Sequence, residues 1–371
     1  MEDQLRQSLL PAITGQPPPD DATRNLLAMT NRLGGLGVVN PLMMSKSQFE
    51  TLQKVRQPLV DIISGNFNDI LAARREQQAI KYQQSQNRLR QLANEATGVY
   101  RNVTRELREC ATIAKEKGVS SWLTALPLVQ HDFALHKGDF RDAIAMRYNW
   151  PLQRVPESCA CGQPFSVHHA LICRCGGYVT HRHNQVQDLT ASLLREVSTN
   201  VTVEPALQPL SGEELGRRAN KEDEARVDIR AHSFWNNAQD AFFDVRIFYP
   251  FASSYRTQKL ENVFKQHEAK KRQEYGQRIL QVEHGTFTPL VLTTGGGMAR
   301  EATVFYKRLA HLLAEKRNED YSVVMSWLRC VLSFSLLRSA ILCVQGTRKS
   351  SKTVDITCMA EAMAAGQVSS Q

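Results

Sequence analysis

The sequence predicts an α+β chain of several domains. A helical N-terminal region leads to a small cysteine-rich metal module. A mixed core follows, running helix, three strands, helix, strand, helix, with further helices at the C-terminus. Three observations predict it. The stretch from Leu71 to Gly118 is long, polar and rich in Ala, Gln, Arg and Glu, residue types that favour helix. Four of the eight cysteines (Cys159, Cys161, Cys173 and Cys175) fall within one short segment. Beyond that segment apolar residues recur first at helical and then at strand spacing.

At 371 residues the chain suits two or three domains rather than one small core. With 42% hydrophobic and 22% charged residues, most of it is expected to fold. No apolar run reaches the roughly 18 residues of a membrane span, so no membrane partner is expected. The N-terminus lacks the basic and apolar regions of a secretory leader. Clustered cysteines in such a chain read as metal ligands rather than disulfides. Cys110, Cys330, Cys343 and Cys358 are scattered and read as buried or idle thiols. The net charge of +9 favours polyanionic partners through long-range attraction and counterion release.

Residues 1–65 hold the Pro17-Pro18-Pro19 patch, a helical run to Asn31 and the sequence Arg32-Leu33-Gly34-Gly35-Leu36-Gly37. No strand precedes these glycines and no Gly-Lys-Ser/Thr follows, so they predict a structural turn, not a phosphate loop. Residues 66–155 form a helical linker region, extended and solvated because apolar positions such as Leu89, Leu92 and Val99 are sparse. Residues 156–180 are the cysteine module, 181–345 the mixed core, and 346–371 a loose Ser/Lys/Ala-rich tail.

In the core, His181–Ser198 reads as a helix with Val186, Leu189, Leu193 and Val197 on one face. Residues 201–203, 226–230 and 241–248 read as strands. Residues 259–283 form a charged helix, and 287–293 a further strand. Gly295-Gly296-Gly297 breaks into a helix over 299–315, and a last helix covers 321–343.

The first chemical constellation is Cys159-x-Cys161-x₇-His169-x₃-Cys173. Two thiolates on a knuckle turn, relieved by Gly162, and a His and Cys on the next turn make a closed tetrahedral set. Such a set suits a structural zinc. His168 is an alternative to His169, and Cys175 is a spare thiol. The second constellation is Asp228 in one predicted strand and Asp244-Val245-Arg246 in the next, sixteen positions on. Acids that converge on neighbouring strands can hold a hard divalent cation through oxygen. Placing them inside strands is otherwise costly. Alternation puts Asp244 and Arg246 on one face. A cation beside a phosphodiester steadies the charge that develops during hydrolysis.

The element order resembles the core of the PD-(D/E)xK nuclease superfamily. More specifically, the knuckle, the run Arg182-His183-Asn184 and the Asp228-x₁₅-Asp244 pair, in this order, resemble the C-terminal restriction-like endonuclease of site-targeting non-LTR retrotransposons. The Arg32–Pro41 segment resembles the thumb end of their reverse transcriptases, although no Tyr-x-Asp-Asp polymerase centre is present.

The resemblance implies Mg²⁺ or Mn²⁺ held by Asp228 and Asp244, with structural Zn²⁺ in the knuckle. It implies a catalytic set of Asp228, Asp244, Arg246, Lys271, Tyr275 and His183. Arg182 and Asn184 would contact DNA; apart from the resemblance, Lys265, Lys270 and Arg272 crowd one helix and read as either a solvated face or phosphate contacts. The resemblance further implies nicking of double-stranded target DNA to prime reverse transcription, element RNA as a second partner, and a nuclear location. Val227 stands where the family has Pro, the spacer is one residue longer, and Arg246 replaces Lys. Arginine cannot exchange protons near neutrality, so that role falls to Lys271 or Lys270. The alternative is a catalytically decayed or domesticated zinc-containing nucleic-acid-binding protein.

Overall fold

The computed structural model describes residues 1–65, 69–153, 155–208, 225–255 and 257–348. The chain divides into two units, Met1–Gln153 and Arg154–Gln371.

In the first unit, short helical turns over Glu2–Thr14 precede α1 (Asp21–Ala28), α2 (Pro41–Ile63), α3 (Ile70–Asn102), α4 (Arg105–Ala114) and α5 (Lys137–Tyr148). Each long helix starts on a side-chain cap: Asp20 for α1, Asn40 for α2, Asp69 for α3, Thr104 for α4 and His136 for α5. The helix-prone stretch over 71–118 folds as two helices, divided where Val103 turns extended and Thr104 caps α4.

Residues 1–65 and 66–153 belong to the same unit. The glycine turn after Asn31–Leu33 binds them together. Tyr100 Oη of α3 donates to Leu33 O (2.7 Å) and Tyr148 Oη of α5 to Gly34 O (2.9 Å). Arg147 Nη2 donates to Gly35 O (3.2 Å). A side chain at Gly34 would lie 2.6 Å from Ala111 O, and one at Gly35 2.0 Å from Met29 O. The glycines are thus needed for close approach, as a structural turn requires. Arg24, buried, adds a two-pronged pair with Glu2 (2.7 and 2.8 Å).

In the second unit the order is α6 (Val167–Ile172), α7 (Tyr178–Val197), β1 (Thr199–Val203), β2 (Ile229–His232) and β3 (Asp240–Phe248). Then come α8 (Leu260–Lys271), β4 (Thr286–Thr293), α9 (Arg300–Arg317) and α10 (Tyr321–Arg348). The strands form one sheet in the order β1-β2-β3-β4, antiparallel up to β3 and parallel between β3 and β4. This is an α+β architecture in the expected succession of helix, three strands, helix, strand, helix. One face of the sheet presents Ile229, Phe243, Val245, Leu290 and Leu292 to a core shared with α7, α9 and α10.

The expected helix over 259–283 is interrupted: α8 ends at Lys271, a wide π turn spans Arg272–Gly276, and helix resumes over Gln277–Gln281. The expectation about apolar length also needs correction. Tyr321–Gly346 is long and apolar enough to cross a membrane (mean hydropathy 1.6). Leu328, Leu332 and Leu336 on it are packed into the core, which accounts for its composition without a bilayer. Most of the expected loose tail, from residue 349 on, lies outside the described residues.

Candidate active site and metal centre

Alternation along β3 decides what surrounds Asp244. Because Phe243 and Val245 point into the main core, Phe242, Asp244 and Phe248 lie on the opposite face. There Phe242 clusters with Ile279, and Phe248 with Phe264 of α8. A carboxylate between these apolar anchors is roofed by α8 and its turn, and Asp244 is only 4% exposed.

Lys271, at the end of α8, supplies the countercharge. Its Nζ lies 3.2 Å from Asp244 Oδ1 and 3.1 Å from Oδ2, the latter an ion pair without a hydrogen bond. Nζ is also 3.4 Å from Glu274 Oε2 and stands 5.1 Å over the Tyr275 ring. Lys271 and Tyr275, four residues apart, thus stay close through the π turn.

Asp228 was expected inside a strand. It sits instead in the bend one residue before β2. Its carbonyl accepts from Glu204 N (2.9 Å) and from Gln187 Nε2 (2.9 Å), contacts outside the β2–β3 ladder. The ladder begins at Ile229↔Phe243, and its next step brings residue 228 alongside 244. The Asp228 carboxylate is fixed at both oxygens: Oδ1 is 3.1 Å from His183 Nε2, and Oδ2 accepts from Val245 N (2.5 Å). The structure therefore gathers Asp228, Asp244, His183, Lys271 and Tyr275 around one end of the β2–β3 pair.

The electrostatics are those of crowded acids. Burial, then the charge of Asp228, pushes the Asp244 carboxyl up to about 7, against the incomplete opposition of Lys271. Burial opposes charge on His183. The hydrogen bond to Asp228 and the charges of Asp228 and Asp244 outweigh it, and the imidazole's pKa is raised. The Tyr275 phenol is pushed up by burial and by Asp244 and Glu274. Nearby His267, bonded to Tyr255 Oη (3.1 Å), is held down to about 4 by burial and by the cations Arg246, Lys270 and Lys271.

The expected DNA contacts divide. Asn184, Arg246 and Lys270 are exposed. Lys265 pairs with Glu261 (2.8 Å), and Arg272 is held by both oxygens of Glu301 (2.9 and 2.5 Å). Arg182 is not at a DNA-binding edge as expected. It lies on the buried side of α7, 3% exposed, and its Nη1 donates to Leu171 O (3.1 Å) at the end of α6. Two residues of the site were missed in the sequence, Gln187 and Glu274. Gln187 is one helical turn from His183, a spacing that could have revealed it.

The cysteine module folds as a tight turn. Cys159 N donates to Gln163 O, Gly162 N donates to Cys159 O, and Gly162 has φ +85°. Ser166 caps α6 by accepting from His169 N (3.0 Å). Cys159, Cys161, His169 and Cys173 come together with their ligand atoms within 4.8 Å of one another, a Cys₃His set able to hold a metal such as zinc. Sγ of Cys159 and Cys173 are 3.9 Å apart, and Cys161 Sγ is 3.1 Å from His169 Nε2. His168 turns away and stacks on Tyr249 at 5.6 Å, which decides between the two histidines. Cys175 is exposed and outside the set. Cys161 is pulled down to about 7, first by a backbone hydrogen bond at Gln163, whereas burial pushes Cys159 up to about 11.

No family model matches the chain, and no curated protein matches it.

Proposed function

We propose that this chain carries a divalent-metal-dependent DNA endonuclease of the restriction-like type, stabilised by a structural zinc knuckle. It would nick target DNA within a retrotransposon machinery. The observation that carries the reading is the juxtaposition of Asp228, Asp244 and Lys271. Two carboxylates set side by side at the end of a ladder repel each other, and one of them is nearly sealed from water. A fold does not need that arrangement for stability. It suits a hard cation: Asp244 Oδ2 is buried and makes no hydrogen bond, and Asp228 is held in place by His183 and Val245 N. The succession of elements around the sheet supports the same reading.

In this reading Asp228 and Asp244 would hold Mg²⁺ or Mn²⁺, which when bound supplies Lewis acidity toward the scissile phosphate. Lys271, which can exchange protons where Arg246 cannot, steadies the negative charge that builds on phosphorus oxygens. His183 orients Asp228, whose hydrogen bond and charge raise the pKa of the imidazole against the effect of burial. Arg246, Asn184 and Lys270, exposed nearby in sequence, are the candidates for contacts to the DNA backbone. Lys265 and Arg272 are already paired with acids and would have to exchange partners.

A plasmid-nicking assay with Mg²⁺ or Mn²⁺ tests this directly, on the full chain and on Asp228→Ala. Cleavage by the wild type and none by the variant is expected. Salt-sensitive binding with no cleavage by either would favour the decayed, binding-only alternative.

A further inference from the structure

α2 and α3 form a hairpin in which α2 uses only part of its circumference. Val55, Pro58 and Ile62 are partly or fully buried, and Gln77 of α3 donates to Val55 O (2.8 Å). A second set of apolar residues on α2 has no such cover. Leu42, Phe49, Leu52, Leu59 and Ile63 are between 43% and 85% exposed. Their spacings are 7, 3, 7 and 4 residues, the a and d positions of a heptad, with Ser45 and Arg56 as the polar members of the same stripe. At 3.6 residues per turn the stripe lies about 110° around the helix from the face against α3. A contiguous apolar stripe on an exposed helix marks a contact surface.

We propose that this stripe pairs with the same stripe of a second copy of the chain, antiparallel, as a two-fold dimer. The residues themselves select that partner and that direction. In an antiparallel pair each a position meets a d position of the other helix. One register sets Leu42 against Leu59, Phe49 against Leu52, and Ser45 against Arg56, each pair occurring twice about the two-fold axis. Every apolar member within it meets an apolar one, and the two polar members meet each other. The neighbouring register would set Arg56 against Leu52 and Ile63 against Ser45. A parallel pair would set Arg56 against Arg56, a like-charge contact at the centre of the seam. The stripe is thus complementary to itself, as a two-fold interface must be. Gln48 and Gln53, which flank the centre of the seam, are uncharged and exposed.

Sedimentation equilibrium of the full chain over a range of concentrations tests the proposal, together with two single variants, Leu52→Glu and Phe49→Lys. Both positions are exposed, so helix content by circular dichroism should not change. The wild type should be a concentration-dependent dimer. Each variant alone should weaken dimerisation by on the order of 100-fold, because the lost apolar contact occurs twice. An equimolar mixture should associate again, since the new carboxylate of one chain then faces the new ammonium of the other. A monomeric wild type at every concentration would overturn the proposal. So would a dimer that neither variant weakens, and so would variants that fail to associate on mixing.

Discussion

Lys271 Nζ stands 3.1 Å from Oδ2 of Asp244, a carboxylate almost sealed from water whose pKa remains raised in spite of that contact. Burial and the neighbouring Asp228 outweigh the cation. This has a direct consequence for stability. The Asp244 carboxyl titrates at about 7 in the folded chain, against an ordinary 3.8. The folded state therefore keeps a proton that the unfolded state releases, and stability falls as pH rises from about 4 to about 7. The loss is on the order of a few kcal/mol. Thermal melts without added Mg²⁺ or Mn²⁺ should show that decline in the wild type. Asp244→Asn should flatten it, and an unchanged slope would remove Asp244 as its source.

The metal centre gives a prediction that separates two adjacent histidines. His169 faces Cys161, whereas His168 stacks on Tyr249. Protein purified without added zinc should carry about one zinc per chain, with Zn–S distances near 2.3 Å by X-ray absorption. His169→Ala and Cys161→Ala should lower the zinc content well below that, and His168→Phe and Cys175→Ser should not. Zinc retained in full by His169→Ala would mean that the ligand set is wrong.

The sequence signal is strongest where chemistry and periodicity coincide. The Cys₃His spacing, the strands around Asp244 and the closeness of Lys271 to Tyr275 are local patterns, and the structure shows each of them. Asp228 was misplaced by one residue because its exit from the strand depends on Glu204 and Gln187, contacts that local alternation does not encode. Arg182 was placed at the DNA by the resemblance of the Arg182-His183-Asn184 run, which does not encode burial. Its side chain turns inward to cap the Leu171 carbonyl, a long-range demand. The same limit explains the N-terminal unit, where Tyr100, Arg147 and Tyr148 reach back to the glycine turn from far along the chain.

Among the basic residues of α8 and its turn, Lys270 and Arg272 should behave differently toward DNA. Lys270 is exposed, whereas Arg272 is committed to both oxygens of Glu301. Lys270→Ala should weaken binding similarly across DNA sequences and reduce the salt slope by roughly one. Arg272→Ala should leave the slope in place and change stability by no more than about 1 kcal/mol, as expected for an exposed pair. Salt titrations of binding on both variants decide it. Equal slopes for Lys270→Ala and wild type would remove Lys270 from the interface.

The sharpest division between enzyme and binding protein comes from Asp244→Asn. The substitution keeps the shape of the side chain but removes a negative charge from a position that faces both Asp228 and Lys271. If the acids serve catalysis, nicking should fall by on the order of 100-fold or more, a loss comparable to deleting a transition-state contact. DNA affinity should hold or rise, because a repulsive charge near phosphate is gone. Lys271→Ala should also depress cleavage. It additionally removes the only cation seen in direct contact with Asp244 among the described residues. A still larger share of Asp244 should then be protonated at neutral pH, and the cleavage optimum should move to higher pH. Lys271→Arg, which restores the charge without proton exchange, should bring the optimum back. Parallel nicking and gel-shift measurements across pH, on the same DNA, resolve these cases. Wild-type cleavage by Asp244→Asn would exclude the catalytic role. A Lys271→Ala profile that drops without shifting would leave Lys271 with a role in steadying phosphate but none in tuning the acid.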